Sequence, residues 1–221
     1  MKSKNIKLYS FTELSKKSQE KFVEEHLDEL ADQATYDCNY EREGTLEAFK
    51  DLFGIEDLRY DVGAYDWDFD FNIKEGACGL TMRDGYLNEI DPDNIKGKYL
   101  RRFLNKNIYD EIICHATFYK NTKRRNSKII LRRDDCPLTG VIFDDEILAP
   151  LWRVYDSPIP EDYGVKELIY VCLDNFFRAW SKSLRYYEDT QNLINYLETS
   201  FDADEEKFLE DGTLAPACLV A

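Results

Sequence analysis

The sequence predicts an α+β fold: an antiparallel sheet of about five strands packed against an N-terminal helix and a long C-terminal helix, in a single domain over 1–221. Three observations carry that expectation. Residues 65–73 alternate large apolar with short polar side chains, the period of a strand with one buried and one wet face. Apolar residues recur at helical spacing towards both ends of the chain. Between them, short apolar segments are separated by glycine-containing turns, the pattern of hairpins.

Taken in order, residues 6–9 form a short strand, and Thr12 or Ser15 caps a helix over 15–35. Phe22, Val23, Leu27, Leu30, Ala31 and Ala34 face the core from that helix, which leaves Glu20, Glu24, Glu25, Asp28, Glu29 and Asp32 on its outer surface. Thr45 caps a second, short helix through Leu46, Phe49, Leu52 and Phe53, stopped by Gly54 at the C′ position. Strands follow at 58–62 and 65–73, joined at Gly63 and Ala64, with a turn at 76–79 and a third strand at 80–83. Tyr65, Trp67, Phe69, Phe71 and Ile73 point to one side, and Asp66, Asp68, Asp70 and Asn72 to the other.

Asp91-Pro92-Asp93-Asn94 reads as a helix start, with proline in the first turn, leading into residues 95–104. Strands at 111–119 and 127–132 flank a polar tip at 120–126. Residues 144–155 are helical, with Pro150 either starting or breaking the helix. The linker-like stretch 158–164 raises the alternative of a helical subdomain over 164–211. Beyond it lies one long amphipathic helix or two stacked ones over 165–197, with Leu168, Ile169, Cys172, Leu173, Phe176, Phe177, Trp180, Leu184 and Tyr187 inward. An acidic helix over 202–209 closes the pattern.

A chain of 221 residues with 43% apolar and 14% aromatic content has ample material for a core, and fifteen Tyr and thirteen Phe against two Met favour a rigid one. The net charge of −15 repels polyanions, which argues against non-specific binding of nucleic acid or anionic membrane and favours a basic partner. Cysteines at 38, 78, 114, 136, 172 and 218 make no C-x-x-C pair, so neither a zinc knuckle nor a redox motif is present. Residues 1–7 contain no apolar signal region, and no apolar run reaches the ~20 residues of a membrane span. Free thiols in a reducing cytosol are therefore expected.

The chain offers little catalytic chemistry. Asp66, Asp68 and Asp70 have the composition of a Mg²⁺ site, but same-face strand residues, roughly 6.7 Å apart, point in parallel and do not converge on one ion. His115 neighbours Cys114 on a strand, where adjacent side chains face opposite ways and form no dyad. His26 sits in a Glu-rich helix as a surface residue, and Gly76-Ala77-Cys78-Gly79 lacks the Lys-Ser/Thr of a phosphate loop. No catalytic residue, metal or cofactor is expected, and a metal-dependent hydrolase is the least favoured class.

Charge is segregated instead. Residues 20–70 hold seventeen acidic and four basic side chains, and 95–133 hold twelve basic and two acidic. Such blocks read as interaction surfaces or as solvated faces. Surface ion pairs contribute only ~0–1 kcal/mol each, so folding does not require the segregation. An acidic face suits a Lys/Arg-lined groove, with electrostatic steering of the encounter.

Two stretches carry a resemblance. The opening Leu8-Tyr9-Ser10-Phe11-Thr12-Glu13-Leu14-Ser15-Lys16-Lys17-Ser18-Gln19-Glu20-Lys21 is similar to the start of a family of uncharacterised bacteriophage and mobile-element proteins, a short strand followed by an F-x-E-L-S helix. The segment from Tyr196 through Glu210-Asp211-Gly212 to Leu214 resembles that family's acidic ending. Its central aromatic turn is represented by Phe71 to Leu80, which keeps Gly76-Ala77-Cys78 but lacks the family's Gln and Asp. The resemblance implies a phage or prophage origin, an α+β fold and an accessory role in the cytoplasm of an infected bacterium. By analogy with small acidic phage proteins, it implies an anti-CRISPR or anti-restriction inhibitor. Such a protein binds a host defence nuclease, for instance a Cas effector, at its basic nucleic-acid channel through Asp66, Asp68, Asp70, Glu24, Glu25, Asp28, Glu29 and Asp32. The alternative is a nucleic-acid-binding accessory protein that uses Arg101, Arg102, Lys123, Arg124 and Arg125.

Overall fold

Residues 6–74, 93, 95–112, 136–200 and 207–216 are described by the structure, a computed structural model. The chain divides into two compact units, Met1–Cys38 with Lys182–Ala221 and Asn39–Ser181. The division falls inside two long helices, and the 158–164 stretch lies within the second unit.

In the first unit, Ser10 N donates to Glu13 Oε2 at 2.9 Å across a 3-10 turn, Phe11–Glu13. Ser15 then opens helix α1, Lys16–Glu25, its hydroxyl accepting from Ser18 N at 3.2 Å, which satisfies a first-turn donor. The helix expected over 15–35 is interrupted at His26, whose backbone turns non-helical and whose Nδ1 bonds Phe22 O at 2.9 Å. Helix α2, Leu27–Phe53, begins immediately after. Phe11, Phe22 and Phe208 meet edge to face, with centroids 6.0, 5.9 and 5.1 Å apart, and Val23, Leu30, Leu193 and Leu197 close the cluster. Phe208 reaches this core because Tyr9 N donates to its carbonyl at 3.0 Å and its own N donates back to Tyr9 O at 2.8 Å. The acidic helix expected to run to Leu209 is therefore corrected: Phe208 is extended, bridging Tyr9 and Leu214, and 202–206 lie outside the described residues. Gly212, with φ of 86°, is needed where it stands, since a Cβ there would run into the Ser18 carbonyl.

The second unit takes the C-terminal half of α2. Thr45 does not cap a separate helix. It lies in the middle of α2, fully buried, with its hydroxyl 3.2 Å from both Thr139 Oγ1 and Asp144 Oδ1. Helix α2 runs to Phe53, and Gly54, with φ of 63°, ends it as expected. The chain then forms an antiparallel hairpin of β1, Ile55–Val62, and β2, Trp67–Ile73. A bulge at Asp57 and Leu58, with Asp57 at φ of 48°, inserts one residue and brings Leu58, Tyr60 and Val62 onto the same face as Ile55. That face is the one shared with Trp67, Phe69 and Ile73.

This hairpin is the sheet among the described residues, and it does not support a sheet of about five strands. The expected strands at 80–83 and 127–132, and 113–119 of a third, lie outside the described residues, as does the 76–79 turn. Glu111 and Ile112, expected to begin that third strand, end a helix instead. The 6–9 strand amounts to the bridge at Tyr9.

Helix α3, Gly97–Phe103, passes through a π-helical turn, Leu104–Ile108, into α4, Tyr109–Ile112. Gly97 N donates to Tyr163 O at 3.0 Å, and Val165 N donates to Ile95 O at 3.1 Å, so the linker-like stretch is tied down at its end. Helix α5, Phe143–Asp156, contains Pro150 and is not broken by it. Proline offers no N–H to the carbonyl four residues earlier, and that carbonyl, Glu146 O, accepts instead from Asn175 Nδ2 at 2.5 Å. Asn175 sits on α6, Val165–Tyr187, which is followed by a separate α7, Thr190–Ser200. Leu168, Ile169, Cys172, Leu173, Phe176, Phe177 and Trp180 of α6 are buried, as their spacing predicts.

Cys38 and Cys172 carry free thiols, and burial drives the Cys172 thiol far above its ordinary range. No helix among the described residues is long and apolar enough to cross a membrane.

In the first turn of α5, Asp144 is 0% exposed and accepts from Leu138 N (2.7 Å), Thr139 N (2.8 Å), Thr139 Oγ1 (2.7 Å) and Gly140 N (3.3 Å) besides Thr45. Asp144→Ala leaves these donors without an acceptor and is expected to destabilise the protein by about 3 kcal/mol in chemical denaturation. Exposed Asp145→Ala is expected to stay within about 0.5 kcal/mol.

Candidate interaction surface

Burial of the apolar hairpin face decides which side chains meet solvent. Tyr60 packs on Phe177 and Trp180, with centroids at 5.2 and 6.0 Å, and Phe69 packs on Tyr170 and Phe177 at 4.9 and 5.2 Å. Trp67 Nε1 donates to Asp174 Oδ1 at 3.1 Å, with Arg178 holding the other carboxylate oxygen at 2.6 Å. The opposite face is wet and polar. Asp61 stands directly across from Asp68, Arg59 across from Asp70, and Glu56 across from Asn72.

The expected stripe of three strand aspartates is corrected at its first member. Asp66 lies before β2, in the hairpin loop, where its carbonyl accepts from Gly63 N at 2.9 Å. Tyr65 likewise sits in the loop, 70% exposed, and not among the inward aromatics. The strand begins at Trp67 because closing the loop consumes the backbone groups of Gly63 and Asp66. Asp68 and Asp70 remain on the wet face, and Asp61, which periodicity had not singled out, joins them.

Glu24, Glu25, Asp28, Glu29 and Asp32 are all exposed, the first two on α1 and the others on α2. Asp28 and Glu29 occupy the first turn of α2, where negative charge is stabilised by the helix dipole. These five belong to the first unit and the hairpin to the second.

Of the basic residues, Arg101 turns inward and caps the C-terminus of α5. Its guanidinium donates to Val154 O at 3.0 Å, to Tyr155 O at 3.2 Å and to Ser157 O. Arg102 is exposed, while Lys123, Arg124, Arg125 and His115 lie outside the described residues. Among the described residues no group of three or more His, Cys, Asp and Glu could hold a metal ion.

A groove that sequence reasoning did not find lies beside the hairpin. It encloses about 550 Å³ and is lined by Tyr40, Glu43, Gly44 and Glu47 of α2, Tyr60 of β1 and Val141 before α5. Glu47 pairs with Lys50 at 2.7 Å, and no ion pair within the described residues involves Glu43. Desolvation, then the nearby Glu43 and Glu47 carboxylates, push the Tyr60 phenol above its ordinary range. The one signal in the sequence is Gly44, a glycine inside a helix that costs about 1 kcal/mol relative to alanine.

Tyr60 should therefore titrate above the usual value of 10.0, and replacing both carboxylates, Glu43→Gln with Glu47→Gln, should bring it part of the way back. Desolvation remains as the larger cause. Ultraviolet titration of the phenols, with Tyr60→Phe as the reference, reads the difference. A raised phenol pKa leaves stability untouched below pH 10.0 and lowers it as pH climbs beyond, because the unfolded chain releases the proton first.

Compared with family models, with curated proteins and with solved structures, the chain finds no match in any of the three.

Proposed function

We propose that this chain is a binding protein rather than an enzyme, and that it engages a basic partner through its acidic faces. The finer reading is a phage-encoded stoichiometric inhibitor of a host nucleic-acid-targeting nuclease, such as a Cas effector, acting in the infected bacterial cytoplasm. There it presents carboxylates to the channel that normally takes phosphates.

The observation that carries this reading is the pairing of Asp61 with Asp68 on the wet face of the hairpin. Like charges directly opposite on adjacent strands destabilise the pair by some tenths of a kcal/mol, and nothing in folding calls for them. With Asp70 one pleat further on, the face presents carboxylates at about 6.7 Å along the strand, near the spacing of successive phosphates in a nucleic-acid strand. The resemblance of residues 8–21 and 196–214 to phage proteins supports the setting, and the net charge of −15 supports a cationic counterpart. The nucleic-acid-binding alternative is weaker, since Arg101 is spent on the end of α5.

The test is a pull-down of candidate nucleases over a salt series. Binding should weaken as salt rises, and the combination Asp61→Asn, Asp68→Asn, Asp70→Asn should cost about tenfold in affinity, chiefly in the on-rate. Salt-independent capture, or full inhibition by the triple variant, would remove the mimicry argument.

A further inference from the structure

We infer that the groove between α2, β1 and the segment before α5 receives an arginine-bearing segment of a protein partner. The inference deepens the reading of a basic partner and rests on it, while using a different surface from the wet face of the hairpin.

The groove combines three things that a guanidinium requires. Tyr40, 74% exposed, offers a ring face on which a planar cation stacks, and Tyr60, whose ring is stacked on Phe177, lines the groove beside it. Glu43 and Glu47 supply carboxylates beside Tyr60, close enough to raise its phenol pKa. Val141, on the groove wall, provides apolar surface for the aliphatic stem. A free carboxylate cluster would be served by water alone, whereas this groove pairs charge with exposed apolar area.

Gly44 is the independent pointer. It lies in the interior of α2, in the groove lining, at a position where a Cβ would meet nothing within 4 Å. Neither packing nor the helix asks for a glycine there, and no positive φ is recorded for it. What the missing side chain provides is open space and an accessible helix backbone within the groove, the situation in which glycine permits close approach of a ligand. The charge complement of that space, with Glu43 lacking an ion pair among the described residues, is a cation.

Substitution at Gly44 separates the two roles. In the full-length protein, Gly44→Ala and Gly44→Leu should raise the melting temperature, since both improve helix propensity at an unobstructed site. Calorimetric titration with a short N-acetylated oligo-arginine peptide should show binding by the unmodified protein, tighter than oligo-lysine. Gly44→Leu should weaken it by about tenfold or more, as should Glu43→Gln with Glu47→Gln. Asp61→Asn with Asp68→Asn should leave it within about twofold. Unchanged peptide affinity in Gly44→Leu, or no peptide binding at all, overturns the inference. So does a dimer of the peptide-free protein that Gly44→Leu dissolves in sedimentation, since the occupant would then be a second copy. Peptide held in the groove without capture of any nuclease sustains the groove and removes the nuclease reading. Nuclease capture without groove binding does the reverse.

Discussion

The aromatic contact between the hairpin and α6 is the interaction on which the functional surfaces depend. A two-stranded hairpin is at best marginally stable in water, and β1–β2 persists because Tyr60 and Phe69 stack on Tyr170, Phe177 and Trp180. Once that face is covered, every alternate residue must face solvent. Asp61, Asp68 and Asp70 are placed there by the pleat, and Tyr60 is carried to the edge of the groove. The bulge at Asp57 is part of the same arrangement, since without the extra residue Leu58, Tyr60 and Val62 would lie on the opposite face from Ile55.

Behind this contact, the second unit is tied together by buried polar groups, not all of them satisfied: Arg42 Nε and Nη1 and Glu146 Oε2 make no hydrogen bond among the described residues. Asp144 gathers the 138–140 backbone amides and reaches Thr45 on α2. Arg42 is buried against the ring of Phe143 at 4.2 Å, with Glu146 Oε2 at 3.6 Å from its Nε. Desolvation raises the Glu146 pKa, and Arg42 opposes that rise. Asn175 replaces the missing donor of Pro150, and Arg101 closes the end of α5. Buried polar groups cost free energy unless paired, so these residues, though charged or polar, belong to the scaffold. They also narrow the search for function, since charges consumed by the fold are unavailable to a partner, and the exposed carboxylates outnumber the exposed Lys and Arg among the described residues.

Much of the fold was legible from local pattern. Seven inward residues of α6 follow helical spacing, Ser15 and Gly54 cap where their chemistry says they should, and the alternation in 67–73 survives intact. Residues 80–83, 113–119 and 127–132 lie beyond the described structure, and Glu111 with Ile112 went to helix. Thr45 was misread because an isolated threonine before an apolar run resembles a cap, whereas its hydroxyl is satisfied by Thr139 and Asp144. Phe208 was misread as helical because its acidic surroundings conceal a backbone pairing with Tyr9, nearly two hundred residues away in sequence.

Sequence alone determined the elements whose signals are local: helical stripes, the strand's two faces, caps, and the segregation of charge. Tertiary structure alone decided that α2 runs on through Thr45, how the bulge sets the register of β1, that Arg101 serves a helix end, and that Tyr40, Gly44 and Tyr60 share a groove. The reason is physical. Periodicity records which face of an element is wet, but which donors meet which acceptors, and which wet faces adjoin, depends on contacts between residues far apart along the chain.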